Sequence, residues 1–204
     1  MSDPISAKQA AHEFKKTLIL KVAAEQFFAK GYAKTRIDDI ADALQMTKPF
    51  VYYHFPSKLH LLEAVCGHTS EFAADLAVAA TDASDEPDVG RRFRRFVQRF
   101  LETVLEEHVF LSIYFRESKY LPPEVRQRHR EDRQRFHVAL STLLTEGRDQ
   151  GVLAFEDLSV TGQTLTGMMT WVFNWYRPNG PQSRDEVARL VEDLVLAAVK
   201  FAAR

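Results

Sequence analysis

A single cysteine, Cys66, is all that 204 residues offer toward covalent cross-linking. An internal disulfide is excluded, and with it the small stapled folds of secreted proteins. Zinc-finger spacing fails for the same reason, and the histidines His12, His54, His60, His68, His108, His129 and His137 form no His-Glu-x-x-His pair. His129 and His137 fall on one face of a helix, where solvated side chains are a plainer reading than a metal pair. Glycine is scarce, and no Gly-x-Ser-x-Gly, phosphate-cradling loop or dinucleotide fingerprint occurs. No apolar run approaches the ~18 residues of a membrane span, and "MSDPISAKQAAHEFKK" has no signal-peptide core. These absences leave no catalytic constellation, cofactor or metal site, and describe a cytoplasmic protein that is not an enzyme. Cys66, in apolar phase with Leu62 and Val65, reads as buried filler. Nor does one sign of charge dominate, with 27 Lys+Arg against 28 Asp+Glu. A basic surface, if there is one, must be local.

What the chain has in plenty is apolar side chains at helical spacing, 46% of residues, without a run of strand alternation. The expected fold is all-α with about nine helices. The first places Phe14, Leu18 and Val22 on one line, Ile19, Ala23 and Phe27 on the next, and ends at Gly31 as a left-handed cap. Thr35 opens the second through the Thr-x-x-Asp spacing of a capping box, and Leu44 closes it. A third runs from Thr47 to Pro56 and a fourth from Ser57 to the polar break "TDASDEPD". Later helices are expected over about 89–106, within "FLSIYFRES", from "LPP" to Gln150, over 158–176, and from Ser183 to the C-terminus. Residues 1–58 and 59–204 form the two expected domains.

Three short helices, the last two joined by a tight turn, make a helix-turn-helix, whose second helix enters the DNA major groove. In "TKPFVYYHFPSK", Thr47, Lys48, Pro49 and Phe50 take the base-reading end. Lys48 can donate to guanine and Phe50 can lie on a thymine methyl. Val51 and Phe55, four apart, point to the core, which leaves Tyr52, Tyr53 and His54 on wetter faces for phosphate oxygens, with Lys58 beside them. Nine cations against six anions between Met1 and Lys58 agree with this. The alternative is a helical adaptor with ordinary solvated lysines.

The stretch "ILKVAAEQFFAKGYAKTRIDDIADALQMTKPFVYYHFPSKLHLLEAV" resembles the DNA-binding segment of TetR-family bacterial transcriptional regulators. By that resemblance Lys48, Pro49 and Phe50 read bases, and Thr35, Arg36, Tyr52, Tyr53, His54 and Lys58 hold the backbone of double-stranded operator DNA. Gln45 stands where the family usually has glycine, and Pro49-Phe50 replaces a small or polar pair. The resemblance implies a homodimer formed by the last two long helices, and a small-molecule effector that releases a roughly palindromic operator.

For the effector, "GMMTWVFNWYRPNGP" gathers Met168, Met169, Trp171, Asn174 and Trp175, suited to an apolar pocket with a polar anchor or equally to core and dimer interface. "YFRESKYLPPEVRQRHRE" contributes Phe115 and Arg116, and Phe136 follows. Arginine runs at 91–99 and 126–135 are solvated surface or, if they converge, phosphate ligands. This half is similar to TetR regulators that respond to acyl-CoA thioesters in fatty-acid, steroid or aromatic-acid breakdown. An uncharged drug-like or lipid effector is the alternative.

Overall fold

The computed structural model describes residues 7–83 and 86–200. The first six residues of the stretch read for a signal peptide, the middle of the "TDASDEPD" break and residues 201–204 lie outside the described residues; the last helix, expected to reach the C-terminus, ends at Ala198. Within them every regular element is helical. The helices are α1 (Ala7–Lys30), α2 (Ile37–Ala43), α3 (Lys48–His54), α4 (Lys58–Thr81), α5 (Val89–Glu106), α6 (His108–Glu117), α7 (Pro123–Asp149), α8 (Leu158–Thr170), α9 (Val172–Trp175) and α10 (Arg184–Ala198).

The ends follow local chemistry. Ser57, Asp88, Asp157 and Ser183 each accept a backbone N–H of the first turn of α4, α5, α8 and α10. Gly31 and Gly151 take the expected positive φ, 82° and 68°, after α1 and α7. Thr35 does not start α2. Arg36 is the cap, and its N–H donates to Asp39 at 2.6 Å, so the carboxylate half of the box is made one residue later while the Arg36 side chain has no acceptor for the other half. Thr35 is buried, its hydroxyl donating to the carbonyls of Gly31 (2.8 Å) and Gln26 (3.2 Å), where it ties the loop to α1. The helix expected over 158–176 is interrupted at Trp171, where a tightened turn carries the Asn174 N–H to the Trp171 carbonyl. The run Thr170-Trp171-Val172-Phe173 is made of residues whose side chains lose χ1 freedom in a helix.

Two cores result. The N-terminal one joins Ile19, Ala23 and Phe27 of α1, Ile40 and Ala41 of α2 and Val51 of α3 to Leu61, Leu62, Val65 and Cys66 of α4. Ile113, Leu121 and Val125, from beyond the expected boundary at residue 58, complete it. The larger C-terminal core is built on α5, α7, α8 and α10, with Phe93, Phe96, Leu140, Leu143, Leu165 and Val195 among its members. Of the two apolar lines on α1 only that of Ile19 is buried. Phe14 is 70% exposed and Leu18 43%, because the buried apolar residues of the other helices meet α1 only from Ile19 onward.

Candidate nucleic-acid interface and effector cavity

The turn between α2 and α3 fixes how α3 is presented. Gln45, at φ 55°, donates its N–H to the Asp42 carbonyl, and Met46 donates to that of Ala41. This is a Schellman ending, completed without the glycine that such a left-handed position favours. Thr47 then caps α3 in extended conformation, and Pro49 occupies a first-turn position where its missing N–H costs nothing.

Thr47, Lys48, Pro49, Tyr52 and Tyr53 stand exposed along one side of α3, with Arg36 also exposed, and Phe50 is half-buried against the core. Lys48 is not free. Its Nζ lies 3.0 Å from Asp38 Oδ2, while Lys30 pairs with Asp39 at 2.9 Å. Both pairs are exposed enough to exchange for a phosphate or base at little cost. The Arg36 N–H and the Lys30 ammonium hold the Asp39 carboxyl below the usual carboxylate range.

Three residues expected at the DNA face are turned inward. Thr35 is buried, as described. Phe55 has left the helix as its cap, so the inward place four residues from Phe50 and three from Val51 falls to His54, only 9% exposed. Its ring meets Phe50, Tyr53 and His12, and its Nδ1 has no hydrogen-bond partner. Burial, and then the neighbouring His12, Lys15 and Lys16, lower its pKa. Lys58 points back toward the loop after α1, donating to the carbonyls of Tyr32 and Thr35, each at 2.9 Å, and lying 4.4 Å over the Tyr32 ring. It is a brace beneath the helix-turn-helix. His12, packed on the far end of α3, was not foreseen, since nothing in its sequence neighbourhood marks it.

In the C-terminal half a cavity of about 160 Å³ opens between α4, α5, α6, α7 and α8. Of the residues expected to meet an effector, Phe115 and Phe136 line it; Arg116, Met168, Met169, Trp171, Asn174 and Trp175 do not. Met169 is wholly buried in the core and Met168 packs against it, whereas Trp171, Asn174 and Trp175 are exposed, the inward places after the break at Trp171 being taken by Val172, Phe173 and Tyr176. The walls are Phe72, Leu76, Phe100 and Leu111, and a polar strip comes from α6 and α7: Tyr114, His129, Arg133 and His137. The last three recur every fourth residue, a periodicity visible in the sequence. His129 and His137 are thus wall residues and not solvated ones. Burial lowers both imidazole pKa values, opposed at His129 by Asp132. Arg133 donates to the Tyr114 hydroxyl at 2.5 Å.

Arginine runs do not converge. Arg92 is buried and paired with Glu146, Arg91 pairs with Glu86 and Arg94 with Glu192; of the second run Arg135 pairs with Asp132, and only Arg133 reaches the cavity.

Arg116 has another use. It donates to the last carbonyls of α1, Phe27 (2.7 Å) and Phe28 (3.0 Å), and pairs with the buried Glu117, which in turn accepts the Tyr32 N–H at 3.3 Å. The end of α6 therefore caps the end of α1.

Among the described residues no helix is long and apolar enough to cross a membrane, and no cluster of His, Cys, Asp or Glu is suited to a metal ion. The chain is 31% identical to PfmR of Thermus thermophilus, a TetR-family regulator, with a TM-score of 0.77 over 91% of this chain and 99% of that one. It is 24% identical over 184 residues to the transcriptional repressor KstR2 of Mycobacterium tuberculosis, covering 89% of this chain and 90% of the relative. The fold is also that of AibR, solved with isovaleryl coenzyme A and operator DNA: TM-score 0.75, 22% identity, 92% of this chain and all of that one. Residues 19–65 match the description "Bacterial regulatory proteins, tetR family", and residues 86–199, more than half of the chain, match "Tetracyclin repressor-like, C-terminal domain". The helix-turn-helix of α2 and α3 and the helical body behind it thus belong to a TetR-family transcriptional regulator, a DNA-binding protein and not an enzyme.

Proposed function

We propose that the chain is a repressor that occupies a roughly palindromic operator as a homodimer and leaves it when a small molecule, an acyl-CoA thioester of a catabolic pathway, enters the cavity. Lys48, Pro49 and Phe50 read base edges, and Arg36, Thr47, Tyr52 and Tyr53 hold phosphates. Residues 1–58 carry this task and residues 59–204 the sensing and dimerisation. Leu190 and Leu194 on α10, 43% and 60% exposed, supply an uncovered apolar stripe for the second subunit. A two-fold dimer sets half-sites about one helical turn, ~34 Å, apart or more. Such a repressor acts where a bacterium keeps its DNA, in the cytoplasm.

One observation carries the reading: α6 belongs to both regions. Leu111, Tyr114 and Phe115 line the cavity, and within two residues Arg116 and Glu117 grip the end of α1. A ligand that draws α6 toward itself pulls on the caps of the helix against which α2 and α3 are stacked. Release further requires that the ligand bind the DNA-incompetent arrangement more tightly, since equal affinity shifts nothing.

The test is a mobility shift on the protein's own upstream DNA, titrated with acyl-CoAs, for wild type and Glu117→Gln. Wild type should release DNA, and the variant should bind the same thioester while holding its operator. Release that persists unchanged in the variant removes α6 as the link. Retention of DNA under every thioester removes the CoA effector and leaves DNA binding standing.

A further inference from the structure

The cavity constrains what it can hold more closely than family membership does. Its ≈160 Å³ is close to the ~150 Å³ apolar cavity that accommodates a benzene. It does not extend readily. Phe100 and Phe136 meet edge to face at 5.8 Å, Phe96 stacks on Phe136 at 6.2 Å, and all three are at least nine-tenths buried, so a longer ligand must displace close-packed core.

The polar strip is incompletely satisfied. His129 is 6% exposed, lines the cavity, and has a buried Nδ1 with no hydrogen-bond partner. A buried polar atom left in that state costs about 1–3 kcal/mol, which a ligand oxygen can recover once the ring turns that nitrogen toward the cavity. Charge is unbalanced at the same place. The Asp132 carboxylate is engaged by Arg135 at 2.9 Å, whereas Arg133, exposed at the cavity mouth, has only the neutral Tyr114 hydroxyl as its hydrogen-bond partner among the described residues. An oxygen-bearing group with negative or partial negative charge is what these three side chains can receive. The remaining lining is mostly hydrocarbon, with Thr69, Ser70, Thr103, Thr166 and Thr170 set among it.

Resting on the assignment of this cavity as the effector site, we propose that it takes a short branched or ring-bearing acyl group, of roughly six to eight heavy atoms. The apolar end lies among Phe72, Leu76, Phe100 and Phe136, and the carbonyl or carboxylate oxygen meets His129, Tyr114 and Arg133. The same chemistry is present in a free acid and in its CoA thioester, with the nucleotide outside. Long fatty-acyl and steroid-sized ligands exceed this volume and would have to displace the packing of Phe96, Phe100 and Phe136. Burial keeps the His129 ring neutral, so one nitrogen is a donor, as a carbonyl oxygen requires.

Calorimetric titration of the full chain with isovaleryl-CoA, benzoyl-CoA, benzoate and decanoyl-CoA tests this. At least one of the first three should bind, ten-fold or more tighter than decanoyl-CoA, and benzoate against benzoyl-CoA separates the two sources. Arg133→Gln and Tyr114→Phe should each weaken that binding at least ten-fold; Tyr114→Phe removes one oxygen and leaves the core packing in place, so it serves if Arg133→Gln misfolds. Equal or tighter decanoyl-CoA binding, no binding by any short probe, or unchanged affinity in Tyr114→Phe overturns the proposal. The upstream-DNA assay, run in parallel, keeps the two readings apart. A short probe that binds without releasing DNA supports this site and removes effector-driven release; release of DNA by decanoyl-CoA and by no short probe does the reverse.

Discussion

The N-terminal core and the C-terminal core solve opposite problems. In the first, with the exception of His54, polar groups near the packing are answered from within the chain: Thr35 by two carbonyls, Lys58 by two more, Asp39 by the Arg36 N–H, Glu117 by Arg116 and Tyr32. In the second, a cavity stands in the middle of the packing, and His129 and Arg133 face it with partners missing or uncharged. A reading surface must hold its side chains in fixed positions before DNA arrives, and a sensor must leave something for its ligand to complete. The contrast places rigidity and incompleteness in one chain, joined by α4 and α6.

The sharpest way to break the comparison is at Lys58. Lys58→Met removes charged hydrogen bonds to the Tyr32 and Thr35 carbonyls, worth about 2–3 kcal/mol together, and strips support from the loop beneath α3. Denaturant unfolding should show that loss, and operator affinity should fall with it, while short-acyl binding in the cavity stays as in wild type. Lys48→Met should separate reading from folding. Operator affinity falls at least ten-fold, about 1.4 kcal/mol, in a mobility shift, with the denaturation midpoint moved little because the Asp38 pair is exposed. Gln45→Gly works in the other direction. The left-handed backbone at φ 55° costs a side-chain-bearing residue about 1 kcal/mol, partly offset by glycine's freedom in the unfolded chain, so the variant should be more stable by about 0.5 kcal/mol in the same titration.

Acid probes both regions at once. His54, His129 and His137 have folded pKa values below their ordinary one, so the unfolded chain binds protons that the folded one refuses. Their contribution to stability is present above about pH 6.5 and is lost as pH falls below it. Denaturation midpoints at pH 7.5 and 5.5 should show the decline. His54→Asn should remove the part that belongs to the N-terminal core and leave the part that belongs to the cavity. The smallest effect is at Cys66. Burial, and then Glu117, push its thiol up to about 12, so native protein should resist a thiol reagent at pH 8 and react only as the N-terminal core opens.

The N-terminal region was far more legible in the sequence than the cavity. A helix-turn-helix is specified locally: Gly31, the turn at Gln45, the cap at Thr47 and Pro56 all act within a few residues of themselves. Errors there were of one turn's phase. Thr35 was displaced by Arg36 as the cap, and His54 turned inward beside Phe55, which packs on the core from the cap position. The cavity is assembled from five helices distant in the chain, and no local signal reports which of their faces meet. The aromatic and Met-rich stretch at 167–176 looked like a pocket by composition, yet the turn at Trp171 sends much of it outward. The better signal was quieter, the recurrence of His129, Arg133 and His137 at every fourth residue of α7.

α4 is common to both cores, and it has a mechanical consequence. Lys58 braces the reading domain at one end, and Phe72, fourteen residues on, forms part of the cavity wall. At 1.5 Å per residue that is an arm of roughly 21 Å, so a tilt of about 5° at the cavity displaces the Lys58 end by roughly 2 Å. The interior hardly registers such an angle. A hydrogen bond of ~2.9 Å to a base edge does not survive it, and in a two-fold dimer both arms swing, so the distance between the reading helices changes by up to twice as much.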